Sequence, residues 1–200
     1  MNPPRLPVRW ILGLIGPLLL VDAAVAQDLH PSRRPSPVGI AKTFLGDTYV
    51  KVTYGRPYVR GRDIFGDPSD GGTYLVPFGQ TWRTGANEAT EITLTGPLTV
   101  AGQRLEAGTY SVFTVPGPTR WEIRFHPGLG MDGTGRMEGG GFAETYDPAL
   151  DVLVVQVASR AMAEPVDQFT IGFEATATGA DMTLQWARTE VRIPLGVAGG

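Results

Sequence analysis

Residues 48–57 read TYVKVTYGRP. Val50, Val52 and Tyr54 fall on one side of a period-two alternation, and Tyr49, Lys51 and Thr53 on the other. A strand turns successive side chains to opposite faces, so the pattern predicts a half-buried β-strand. Valine, threonine and tyrosine also suit a pleated surface. Pro57 offers no amide donor and marks an edge or bend where the strand ends.

The same rhythm recurs downstream. RWEIRFHP (120–127) puts Trp121, Ile123 and Phe125 inward and Glu122, Arg124 and His126 outward. EITLTG (91–96) and GTYSVFTVP (108–116) read as strands, with turns at Ala101-Gly102 and Ala107-Gly108. DVLVVQV (151–157) is almost continuously apolar, which predicts a central strand covered on both faces. Residues 168–195 read as two strands around a turn at Thr178–Asp181, in which Met182, Leu184 and Trp186 alternate. A separate last strand then turns Val191, Ile193 and Leu195 inward. The only helical candidate is a short turn near DPALD (147–151). About nine to eleven short strands with Gly/Pro punctuation predict an all-β fold, a single antiparallel β-sandwich of jelly-roll or Ig-like type.

The ends of the chain read differently. Arg5 and Arg9 precede the apolar run ILGLIGPLLLV, and AVA closes it at 24–26. This is the pattern of a secretory signal peptide over residues 1–26, with cleavage expected before Gln27. The run is shorter than the roughly 20 residues a membrane span needs, so no span is expected once it is removed. Residues 27–37, QDLHPSRRPSP, read as a flexible leader, and the domain as 38–196. The expected destination is the periplasm or the outside of the cell. HPGLGMDGTGRMEGGGFAETYDP (126–148) is glycine-rich and aperiodic, the mark of a long loop that serves a function or varies freely.

Composition narrows the function. The chain has no cysteine, which excludes a disulfide framework, a thiolate metal site and a thiol nucleophile. A net charge of −3 gives no electrostatic case for nucleic acid. Lys42 and Lys51 are the only lysines among 17 basic residues, read first as the mark of a G+C-rich genome. The histidines are His30 and His126, and no calcium-loop spacing appears, so no metal site and no cofactor is expected. There is no G-x-S-x-G elbow, and GTGRMEGGG lacks the Gly-Lys-Ser/Thr of a phosphate loop.

Two constellations carry chemistry. WRTGANEAT (82–90) gathers Trp82, Arg83, Thr84, Asn87 and Glu88 around a Gly-Ala corner. An aromatic face, a guanidinium fork, an amide and a carboxylate suit a polar or anionic small molecule or a glycan. An architectural reading stands beside it. There Asn87 closes a loop, Thr84 and Thr90 bond the backbone, and Glu88 pairs with Arg83. YGRPYVRGRDIFG (54–66) carries Arg56, Arg60 and Arg62. If extended, Arg60 and Arg62 share a face and form an anion-binding rim; otherwise they are a solvated hairpin with ion pairs, Asp63 neutralising one. Glu88 is the candidate catalytic carboxylate, a candidate base, with Glu91, Asp63 or Asp147 as a second carboxylate.

Several stretches together resemble the DUF2911 family: VTYGRPYVRGRDIFG (52–66), LVPFGQTWRTGANEAT (75–90), AGTYSVFTVPG (107–117), WEIRFH (121–126), YDPALDVLVVQV (146–157), EPVDQFTIGFE (164–174) and LQWARTEVRIPL (184–195). The resemblance spans roughly 38–195. It departs from the pattern at Gly55, where a serine is common, in the extra residues DPSDGGTY (67–74), and in the 126–145 loop, which lacks a tryptophan. It implies an exported bacterial β-sandwich of uncharacterised function and brings no reaction. The expected function is a non-catalytic envelope module that binds a polar or anionic ligand. A small carbohydrate-active or other hydrolase using Glu88 and a purely structural or assembly protein are the alternatives.

Overall fold

A computed structural model of the chain describes residues 33–131 and 146–199. The expected signal peptide, most of the expected leader and most of the glycine-rich loop lie outside the described residues. Eleven strands run in the order β1 (Val38–Leu45), β2 (Thr48–Gly55), β3 (Phe65–Gly66), β4 (Val76–Pro77), β5 (Thr90–Leu94), β6 (Leu98–Val100), β7 (Gln103–Leu105), β8 (Gly108–Val115), β9 (Arg120–His126), β10 (Leu153–Thr176) and β11 (Gly179–Val197). The described helical residues are short 3-10 turns, one of them at Pro148–Leu150 as the sequence predicts.

The protein is all-β and antiparallel. Nine strands form one hydrogen-bonded series, β1-β2-β5-β8-β9-β10-β11-β6-β7, beside a two-residue parallel pair, β3-β4. The spine of the series is β10. Its first residues, Leu153–Ala158, pair with β9, and the rest pairs with β11. On its other edge, Phe169 donates to the Pro57 carbonyl and Val59 to that of Asp167. The strands after the middle of β10 are thereby brought back over those before it. Buried residues from both ends of the series share one core: Val50, Val52, Ile92 and Ile123 with Ile171, Leu184 and Ile193.

Alternation builds this core as the sequence predicts in β2 and β9, except that His126, expected outward, is buried at the end of β9. Val50, Val52, Ile123 and Phe125 are all fully buried. The two-residue turn Ala101-Gly102 has positive φ at both positions, 47° and 83°, the backbone that matches the twist of a tight hairpin. Three further expectations need correction. DVLVVQV is not covered on both faces: Leu153, Val155 and Val157 are buried while Val154 is exposed. The residues from 168 onward form only two strands, the second half of β10 and a continuous 19-residue β11. Their turn is Ala177-Thr178, just before the expected one.

The inward positions of β11 change parity, from Met182, Leu184 and Trp186 to Val191, Ile193 and Leu195. Strict period two forbids that. The change is absorbed by irregular pairing around Ala187, which sits at φ 50°. Sequence alone shows the parity break and suggests a chain break; the strand nonetheless runs on whole through the irregular pairing.

Candidate functional site

The loop WRTGANEAT faces inward. Trp82 exchanges backbone hydrogen bonds with Thr114 at 2.7 and 2.8 Å, which anchors the loop to the end of β8. Its indole is buried and stacks on Trp186, with centroids 5.7 Å apart and planes 18° apart. Phe65, Trp121 and Phe169 surround it at 5.1 to 6.3 Å. Its Nε1 donates to the Gly85 carbonyl at 3.0 Å. Trp82 is therefore a core residue that also closes its own loop.

The other side chains of the loop are engaged too. Thr84 is fully buried at φ 57°, and its hydroxyl lies 3.2 Å from that of Thr114. Thr90 donates its hydroxyl to the Thr84 carbonyl at 2.6 Å. Asn87 takes the left-handed backbone, φ 64°, and its amide donates to the Ser36 carbonyl at 3.0 Å. Glu88 accepts from Arg34 through both carboxylate oxygens, at 2.7 and 2.6 Å. The Arg34 hydrogen bond holds the Glu88 carboxyl below the usual range, with Arg83 adding a smaller pull in the same direction. The sequence pairs Glu88 with Arg83; the principal partner is Arg34, from the stretch read as leader.

The arginine hairpin folds onto the same segment. Arg56 reaches the Phe169 carbonyl at 3.2 Å and the Thr170 hydroxyl at 3.0 Å. Arg60 donates to the Pro35 carbonyl at 3.0 Å. Arg62 donates to the carbonyls of Val59 and Tyr58 at 3.0 and 2.6 Å. The condition for Arg60 and Arg62 to share a strand face fails, because Arg60 and Gly61 form a turn at φ 50° and 66°. The two constellations do meet, but as a clasp. A Cβ built on Gly55 would lie 1.9 Å from the Ala86 carbonyl oxygen, so only glycine fits there. The departure at position 55 has this physical requirement behind it.

Two of the other candidate carboxylates, Glu91 and Asp147, are likewise bonded; the Asp63 side chain has no such partner among the described residues. Glu91 accepts from the Gly130 amide at 2.9 Å, and Asp147 caps its 3-10 turn through the Ala149 amide at 2.9 Å. A polar cluster that the sequence does not announce covers the outer face of β9. Arg124 bonds Glu122 at 2.6 Å and the buried Asp151 at 3.2 Å, and the Tyr146 hydroxyl donates to Asp151 at 2.9 Å. Burial, with help from Asp151, pushes the Tyr146 phenol up to about 12.

A concave feature lies elsewhere. A groove of about 490 Å³ opens where β10 turns from β9 toward β11, within the size range of small-molecule sites. Ala101, Val157, Ala158 and Pro194 give it apolar walls, and Arg160, Glu190 and Arg192 its charge. Arg160 and Glu190 are direct cross-strand partners. Glu190 is almost fully buried and accepts from the Arg160 Nε, from Arg192 at 3.2 and 3.1 Å, and from Gln185 at 2.8 Å. Burial alone raises its carboxyl, but these donors outweigh burial and hold it below the usual range. Arg192 is further committed to Glu174 at 2.5 Å and Asp181 at 3.6 Å. Arg160 uses only its Nε, and its side chain stays 63% exposed at the rim. Its two terminal nitrogens have no hydrogen-bond partner among the described residues.

The sequence pattern of a family of proteins of unknown function, DUF2911, matches residues 36–195. The chain belongs to the DUF2911 family. Comparison with curated proteins and with solved structures found no match.

In this DUF2911 protein the groove escapes sequence reasoning because Arg160 and Glu190 stand in two ordinary strand runs. Only the cross-strand register brings them together. A faint signal exists: Glu190 falls between Thr189 and Val191 next to the inward positions of β11, where a carboxylate needs partners.

Proposed function

We propose that this protein is a non-catalytic exported binding module whose ligand is a small molecule with an anionic head and an apolar body. One observation carries the reading. Arg160 sits at the rim of the groove, oriented through Nε by the buried Glu190, with its two terminal nitrogens uncommitted. A guanidinium fixed by one nitrogen presents its remaining fork in a set direction, which suits bidentate recognition of carboxylate or phosphate. The apolar walls take the rest of the ligand.

This keeps the expected ligand class and moves the site away from the 82–90 loop. The hydrolase reading asks Glu88 to work as a carboxylate with a second one beside it. Both Glu88 oxygens are instead taken by Arg34. Export rests on the N-terminal signal pattern.

The test is calorimetric titration of the form beginning at Gln27 with octanoate and with inorganic phosphate. Octanoate should bind saturably, and Arg160→Gln should weaken it by roughly 10- to 100-fold, the loss of one or two charge-assisted hydrogen bonds. Phosphate, which lacks an apolar body, should bind more weakly. Failure of both probes, or equal binding by Arg160→Gln, removes the groove as a site.

A further inference from the structure

We infer that the outer face of β1 and β2 is a docking surface for anionic lipid. Along β1 the solvent side carries Val38, Ile40, Lys42 and Phe44, with Ile40 64% and Phe44 68% exposed. The register places Lys42 opposite Lys51 and Phe44 opposite Tyr49, whose ring centroids are 5.1 Å apart. Val197, also exposed, lies within reach of the β1–β2 turn at Gly46. The face is thus a strip of apolar side chains divided by two ammonium groups.

The lysines make the argument. They are the only two in the sequence, and they stand directly across from each other. Like charges opposite each other on one face destabilise a sheet, so nothing in the fold favours the pairing. Neither lysine makes an ion pair among the described residues. The groups nearest Lys51 on β5 do not neutralise it: its partner is Thr93, and the neighbouring Glu91 is bonded to the Gly130 amide. The arginines Arg124, Arg160 and Arg192, by contrast, are each matched to carboxylates.

Two unneutralised cations beside exposed Ile40 and Phe44 are complementary to a surface that is negative at its face and apolar beneath. That is an anionic bilayer. Lysine suits the role because its apolar stem lies along hydrocarbon while the ammonium stays at the headgroups. The membrane then holds the module by its β1–β2 face, and this proposal is independent of the groove.

The experiment is sedimentation of the form beginning at Gln27 with phosphatidylcholine vesicles, with and without phosphatidylglycerol. The protein should partition onto the anionic vesicles and be released by high salt. Lys42→Gln and Lys51→Gln should each lower partitioning about fivefold. Phe44→Ser should lower it further at constant charge. Lys42 and Phe44 are exposed and Lys51 half-buried, so melting midpoints close to wild type will show that the variants are folded. Equal binding to neutral and anionic vesicles, or no effect of the lysine substitutions, overturns the proposal. Retention on immobilised polyglutamate without vesicle binding also overturns it and assigns the face to an acidic protein.

Discussion

The 82–90 loop and the β10–β11 groove hold similar side chains to opposite ends. Each has a carboxylate gripped by arginine, Glu88 by Arg34 and Glu190 by Arg160 and Arg192. In the loop the polar groups close on the backbone of neighbouring segments: Asn87 on Ser36, Thr90 on Thr84, Arg60 on Pro35. In the groove the carboxylate is buried and the guanidinium is left reaching into solvent. Residue type alone does not separate a clasp from a site. What separates them is whether the outermost donors are already answered.

Substitutions can break this contrast, and the greatest effect belongs to the loop. Trp82→Ala empties the centre of the aromatic cluster and should cost about 3–5 kcal/mol. At roughly 2–4 °C per kcal/mol its melting midpoint should fall by about 6–20 °C. A drop of only a degree or two would free Trp82 from the core and return it to ligand binding. Glu190→Gln comes next, at about 1–3 kcal/mol, since it leaves Arg160 and Arg192 facing a neutral amide. It should also weaken octanoate binding, because Arg160 loses its orientation; Asn87→Ala should not.

Asn87→Ala should cost about 1–2 kcal/mol, combining a lost hydrogen bond with a left-handed backbone that alanine resists. Glu88→Gln should cost no more than about 1 kcal/mol, because that ion pair is partly exposed. Both Glu88 and Glu190 have folded carboxyls below their unfolded range. Their stabilisation is therefore complete above the unfolded value, near pH 4.3, and is lost as pH falls through the folded values. Acid denaturation curves should show it: the wild type loses its advantage over Glu190→Gln as pH drops, and the two converge in strong acid. A gap that widened toward low pH would reverse the assignment. Arg160→Gln should cost no more than about 1 kcal/mol, because Arg192 and Gln185 still hold the buried Glu190 carboxylate. Ligand loss out of proportion to the loss of stability is the signature of a site, and the inverse is the signature of the clasp.

Much of the fold is legible in the residues. Alternation in β2 and β9 names the buried residues, and Ala101-Gly102 names its hairpin. The apolar run at 151–157 misleads because Val152 and Val154 face solvent, and hydrophobicity does not report which face is covered. The parity break in β11 is visible, while its cause, irregular pairing with β10 around Ala187, is not. Of the candidate site, the architectural account of Thr84, Asn87 and Thr90 was readable from their turn chemistry. Arg34 was not, because nothing in QDLHPSRRPSP marks it as a partner of a loop 54 residues away. The groove is a product of register alone.

The closure of β11 on β6 sets an order of events. Leu98 pairs with Val197, roughly a hundred residues later, and β6 has only the three-residue β7 on its other edge. The first five strands of the series can zip together through neighbouring segments while the chain is still growing. The β6–β7 hairpin, though, has no lasting neighbour until the C-terminal residues arrive. Contacts so distant in sequence are slow to form. Leu98 and Val100 therefore stay unburied until β11 has formed, and this end of the series closes late in folding.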